Sequence, residues 1–105
     1  MASNPKINTV LPQSLLDKLD AGIRRYVEIL TQEGIETFES CQGGPGHSFS
    51  EPTIRFHGRH SEGFHAVAIA LPHGRPVECV RRVRDVEDLE LVGPDWEIVF
   101  YECDE

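Results

Sequence analysis

The chain is predicted to fold as an α+β two-layer sandwich, in the order α-β-β-α-β-β, with two helices packed on one face of a four-stranded sheet. Three observations predict this. Apolar residues recur at three- and four-residue steps from Leu15 to Leu30. A shorter stretch of helical spacing lies between Ser61 and Leu71. Four segments, 35–40, 53–57, 77–86 and 96–103, are rich in β-branched or aromatic residues.

The first helix is expected from Ser14 to Gly34. Leu15, Leu19, Ile23, Tyr26, Val27 and Leu30 form one apolar stripe. Ser14 is placed to cap its start, with Asp17 three residues on, and Gly34 supplies a left-handed stop. IETFES, 35–40, reads as a short strand. CQGGPGHSFSEP, 41–52, holds three glycines and two prolines and reads as a loop. TIRFH, 53–57, is a second strand with Ile54 and Phe56 on one face, closed by Gly58. Ser61 is the expected cap of the second helix, with Phe64, Val67, Ala68 and Leu71 as its buried stripe and Pro72 and Gly74 at its end. In 77–86, Val77, Cys79 and Val83 fall on one face and Val80 and Val86 on the other, which calls for a bulge or two-sided burial. Gly93-Pro94-Asp95 reads as a turn. Trp96–Cys103 is the strongest strand: Trp96, Ile98 and Phe100 share one face and Val99, Tyr101 and Cys103 the other, as in a central strand. Trp96 and Tyr101 are expected in the core.

The chain has 105 residues, enough for one domain with a core of its own. Residues 1–12 are expected to be a flexible arm and 13–105 a single α+β domain. The net charge is −8, which disfavours a protein that coats nucleic acid or binds anionic membrane. The charge is uneven. Residues 85–105 hold nine acids and no Lys or Arg, so the remainder sums to +1. Solubility is the plain account of such a field. The sharper one is an acidic surface, with Asp85, Glu87, Asp88 and Glu90 as candidates, aimed at a basic protein partner. Arg81, Arg82 and Arg84 make a short basic run beside it, expected to be a solvated strand face. Three cysteines, Cys41, Cys79 and Cys103, without a CxxC pair fit a reducing cytoplasm better than a disulfide framework. No apolar signal core opens the sequence.

SCQGGPGH, 40–47, is the segment with most chemistry. As an anion cradle, Cys41, Gln42, Gly43, Gly44, Gly46 and His47 would offer backbone amides, and Arg55, His57, Arg59 and His60 would offer cations. No Walker or dinucleotide fingerprint is present. As a catalytic pair, Cys41 and His47 would be thiolate and base, with the Gly43 and Gly44 amides as an oxyanion site. As a metal site, Cys41, His47, His57 and His60, with His65 nearby, have suitable atoms but not zinc spacing; surface histidines explain them more simply. Glu36, Glu39 and Glu51 bracket the loop and read as exposed strand carboxylates rather than an acid–base pair.

GIETFESCQGGPGHSFSEPTIRFHG, with the EGFHAVAIAL helix and the GPDWEIVFYE strand, resembles a group of small proteins of bacteria and their phages. The resemblance implies a common site at the SCQGGPGH loop and the RFHG strand end, and implies no activity. Ser40, Cys41 and Gly43 are also similar to part of the Ser-Ser-Cys-Ser-Gly-Arg motif of the wybutosine-synthesis tRNA methyltransferase family, with Gln42 and Gly44 as departures.

The leading expectation is a small cytoplasmic binding module of phage or mobile-element type, binding a nucleotide or other small anionic ligand at that loop and strand end. The second is a small acidic inhibitor, of anti-defence or anti-CRISPR kind, that meets a protein through 85–105. The third is a thiol- or zinc-dependent enzyme using Cys41 and His47; catalysis is the less favoured class. No cofactor is indicated. Exposed sheet edges would permit a homodimer.

Overall fold

A computed structural model describes residues 21–102. The elements, in order, are α1 (Ala21–Gln32), β1 (Glu36–Cys41), β2 (Thr53–His57), α2 (Glu62–Ala70) with a 3-10 turn (Leu71–His73), β3 (Val77–Glu87) and β4 (Glu90–Phe100). The two helices and the four-stranded antiparallel sheet make the expected α+β order. The sheet runs β1-β2-β4-β3. β4 is therefore internal, as its two-sided apolar pattern requires.

One face of the sheet carries the core. Ile54 and Phe56 of β2 and Trp96, Ile98 and Phe100 of β4 point to it and are buried. Ile23, Tyr26, Val27, Ile29 and Leu30 of α1 close over them, and Tyr26 meets Phe100 edge to face at 4.6 Å. Each fully buried side chain of this size stabilises the fold by about 1.5–3 kcal/mol. Gly34 takes φ +96° and ends α1, as read from the sequence. Ser14, Leu15, Asp17, Leu19, residues 1–12 and Cys103 lie outside the described residues.

Four expectations are corrected. α2 buries Gly63, Ala66, Ile69 and Ala70; of the expected stripe only Val67 packs against the core, half-buried, while Phe64 is 75% exposed and Ala68 and Leu71 are exposed too. The reason is contact distance. A Cβ on Gly63 would stand 2.5 Å from the Trp96 ring, so α2 sets its glycine against that ring. Ser61 sits at the start of α2 in the helical region and makes no side-chain cap. Gly93-Pro94 is not the hairpin turn: the bond is cis and lies inside β4, where two residues face Arg84 alone between the Val83–Asp95 and Asp85–Val92 pairs. The turn is Asp88-Leu89. Tyr101 is exposed rather than core.

The imperfect alternation of 77–86 has its expected cause, since the β3–β4 register shifts between Val77 and Cys79. That shift puts Val77 beside Val80 against the core.

Candidate functional site

The face of the sheet away from α1 and α2 carries a run of charge beside the buried Cys41, Thr53 and Val99. Residues of successive strands pair across it as Glu39, Arg55, Glu97 and Arg81. Arg55 Nε donates to Glu97 Oε1 at 2.9 Å, and Arg81 Nε donates to Glu97 Oε2 at 2.6 Å. Arg55 Nη1 donates to both Asp85 oxygens, at 3.2 and 3.0 Å, and stands 3.6 Å from Glu39 Oε1. The Phe49 ring covers the Arg55 guanidinium at 5.3 Å. Burial opposes the charge of Arg55, but the hydrogen bond to Glu97 and the charges of Asp85, Glu97 and Glu39 outweigh it and hold the group above its ordinary pKa. Arg81 is raised chiefly by its hydrogen bond to Glu97.

This ladder uses the residues that the anion cradle needs. Arg55 is committed to carboxylates. His57 Nδ1 is 2.8 Å from Asp95 Oδ1, and its ring stacks on Phe38 at 4.3 Å. The loop amides are turned inward too: Gly43 N donates to Cys41 Sγ at 3.4 Å, Gly44 N to Ser50 O at 3.0 Å and His47 N to Gly44 O at 3.1 Å. Gly43, Gly44 and Gly46 all have positive φ, as their types allowed. At Gly43 the requirement is steric as well, since a Cβ would lie 2.5 Å from the Glu51 backbone carbon. Three of the loop amides are thus used within the loop.

Cys41 is buried, and its sulfur faces the Gly43 amide. Gln42 Oε1 accepts from Gly22 N at 2.8 Å, which orients the amide so that its Nε2 donates to His47 Nε2 at 3.4 Å. His47 is therefore turned to Gln42, and the thiol–imidazole pair is not assembled. Among the described residues, no three His, Cys, Asp or Glu side chains converge as a metal set. The candidates Cys41, His47, His57 and His60 stay apart in this sense.

The acidic candidates separate into two groups. Asp85 belongs to the ladder. Glu87, Asp88 and Glu90 stand at the tip of an arm. β3 and β4 each have 11 residues, whereas β2 has five and pairs with β4 only from Trp96 to Val99. Residues 83–87 and 90–94 therefore run past the end of β2, a projection of roughly 17 Å at 3.4 Å per residue.

Sequence reading missed what the tip displays. Asp88 and Leu89 both have positive φ, 52° and 68°, the geometry of a two-residue turn that favours Asn-Gly. Leu89 is 97% exposed there. Val86 and Leu91 are a cross-strand pair, 67% and 68% exposed. Glu87 and Glu90 face each other directly. An apolar knob is thus ringed by three acids. The signal was present in VEDLEL, 86–91, but the misplaced turn at Gly93-Pro94 left these residues on a plain acidic stretch.

No helix among the described residues is long and apolar enough to cross a membrane. Comparison with protein families, curated proteins and solved structures finds no match to this chain.

Proposed function

We propose that the protein is a binding module that docks on a partner protein through the β3–β4 arm. The observation that carries this is Leu89, 97% exposed at φ 68° on the apex. A leucine in the left-handed region costs roughly 1–2 kcal/mol. Among the described residues nothing offsets that cost, because the side chain is left in solvent. The opposed Glu87 and Glu90 add like-charge repulsion. A partner with an apolar cleft edged by Lys or Arg would take up the Val86–Leu89–Leu91 knob and neutralise the acids. Strain of this kind collects where a surface is shaped for binding. Basic clefts with apolar walls are also found where proteins bind nucleic acid, so an arm of this chemistry would compete there as an acidic inhibitor.

The test begins with a photo-crosslinking residue at position 89, expressed in the native host. The captured protein is then purified and titrated calorimetrically. Leu89→Asp is expected to weaken binding more than tenfold, and Glu87→Lys with Glu90→Lys comparably at low salt. Leu71→Asp, at an exposed apolar site away from the arm, is expected to leave affinity unchanged. Equal affinity of Leu89→Asp and the parent overturns the reading. So does a parent dimer in light scattering that Leu89→Asp dissociates, since the arm would then serve self-association.

A further inference from the structure

We propose a second binding site, for a phosphate-class oxyanion, at the turn from β2 into α2, formed by Arg59 and Arg82 with His60 and Arg84 beside them. It does not rest on the docking reading of the arm, although Arg84 lies at the base of that arm on β3. Among the described residues, Arg59, Arg82 and Arg84 have no carboxylate partner. That is unusual in a chain with 18 acids and 10 bases. The nearest carboxylates face histidines: Asp95 Oδ1 is 2.8 Å from His57 Nδ1, and Glu62 Oε1 is 3.7 Å from His65 Nδ1.

The Arg82 guanidinium is held in one pose. It lies over the Trp96 ring at 4.8 Å, and Nη1 donates to Gly58 O at 3.3 Å. Trp96 Nε1 in turn donates to Arg59 O at 2.8 Å. The tryptophan therefore fixes both the backbone that presents Arg59 and the plane of Arg82. One of five guanidinium N–H groups is used on Gly58, leaving four for a ligand. Arg84 shares the Arg82 face of β3, one pleat repeat away, and Nη1 reaches Gly93 O at 3.4 Å. His60 and Arg59 are exposed. A planar cation pre-set on an aromatic face suits two oxygens of a phosphate better than a point charge does. Side-chain ordering, a main cost of binding, has already been met at Arg82.

Trp96 is the only tryptophan and stacks on the binding group, so its emission reports occupancy. The full chain is titrated with inorganic phosphate and with adenosine monophosphate, against sodium chloride at matched ionic strength. A saturable change with phosphate but not chloride is expected. Arg59→Gln, which leaves the reporter stack intact, is expected to weaken it at least fivefold; Arg25→Gln, on α1, to leave it unchanged. Equal affinity for both ligands means that the phosphate alone is recognised. Tighter binding of the monophosphate means that a nucleoside adds contacts at the same site. A change that follows ionic strength alone, or that is unaltered in Arg59→Gln, overturns the site.

Discussion

Arg55 and Glu97, 42 residues apart in sequence, join at 2.9 Å on the face of the sheet away from α1 and α2. Only 3% of the Glu97 side chain is exposed. Its second oxygen is taken by Arg81. A carboxylate this far from water depends on its two cations, and removing it leaves the Arg55 Nε without its acceptor and Arg55 with Asp85 and Glu39 alone. Glu97→Ala is therefore expected to destabilise the fold by about 3 kcal/mol, the lower end for a broken buried pair because Arg81 can rehydrate. Glu39, 3.6 Å from the same guanidinium but more exposed, should cost under about 0.5 kcal/mol as Glu39→Gln. Urea denaturation of the two variants checks the contrast. Equal losses would mean that the ladder is a surface feature.

The fold class and the inward faces of β2 and β4 were legible because their largest apolar residues recur at every second position. Ile54 and Phe56, and Trp96, Ile98 and Phe100, have one arrangement that buries them all. The face of α2 was not legible. Size, not hydropathy, decides it, and the need for Gly63 under Trp96 is a contact between residues 33 apart in sequence. The hairpin turn was misread for a related reason. Gly93-Pro94 carries a stronger local turn signal than Asp88-Leu89, and only pairing with β3 shows it to be a bulge. At the site, Arg55 and His57 look like free cations in sequence. Their carboxylate partners Glu97, Asp85 and Asp95 come from the far end of the chain, so spacing did not reveal them.

Gly63 gives a second test. Its missing side chain leaves room for Trp96, and an added methyl would meet the ring at 2.5 to 2.7 Å. Gly63→Ala gains helix propensity, about 1 kcal/mol in an exposed helix, yet overpacking costs typically 1–3 kcal/mol. The net effect expected is destabilisation, with a shifted Trp96 emission maximum in the folded state. A more stable variant with unchanged emission would show that the helix moves aside freely.

Glu78 governs a pH effect. Its carboxyl is held above the usual value, first by desolvation and then by the charge and hydrogen bond of Glu51. A carboxyl raised in the folded state favours folding when protonated. Its contribution is fully present below the unfolded pKa and is lost as pH rises through the folded value. Glu78→Gln should therefore raise the melting temperature near neutral pH, and the difference from the parent should shrink as pH falls towards 4. A difference independent of pH would dissociate the Glu51–Glu78 contact from stability.

The arm gives the sharpest prediction, because stability and binding should move in opposite directions. Asp88 and Leu89 occupy a turn that Asn-Gly fits without strain. Asp88→Asn with Leu89→Gly relieves the left-handed leucine, and a gain of about 1 kcal/mol is expected after the entropy that glycine adds to the unfolded chain. The same change removes the apolar apex and one acid. Affinity for the partner captured at position 89 should fall more than tenfold, the scale of a lost central anchor, while the melting temperature rises. A turn optimised only for folding would behave otherwise: the Asn-Gly variant would be more stable and bind as before. A fall in both quantities would mean that Leu89 supports the arm itself, and docking would then have to be assigned to another surface.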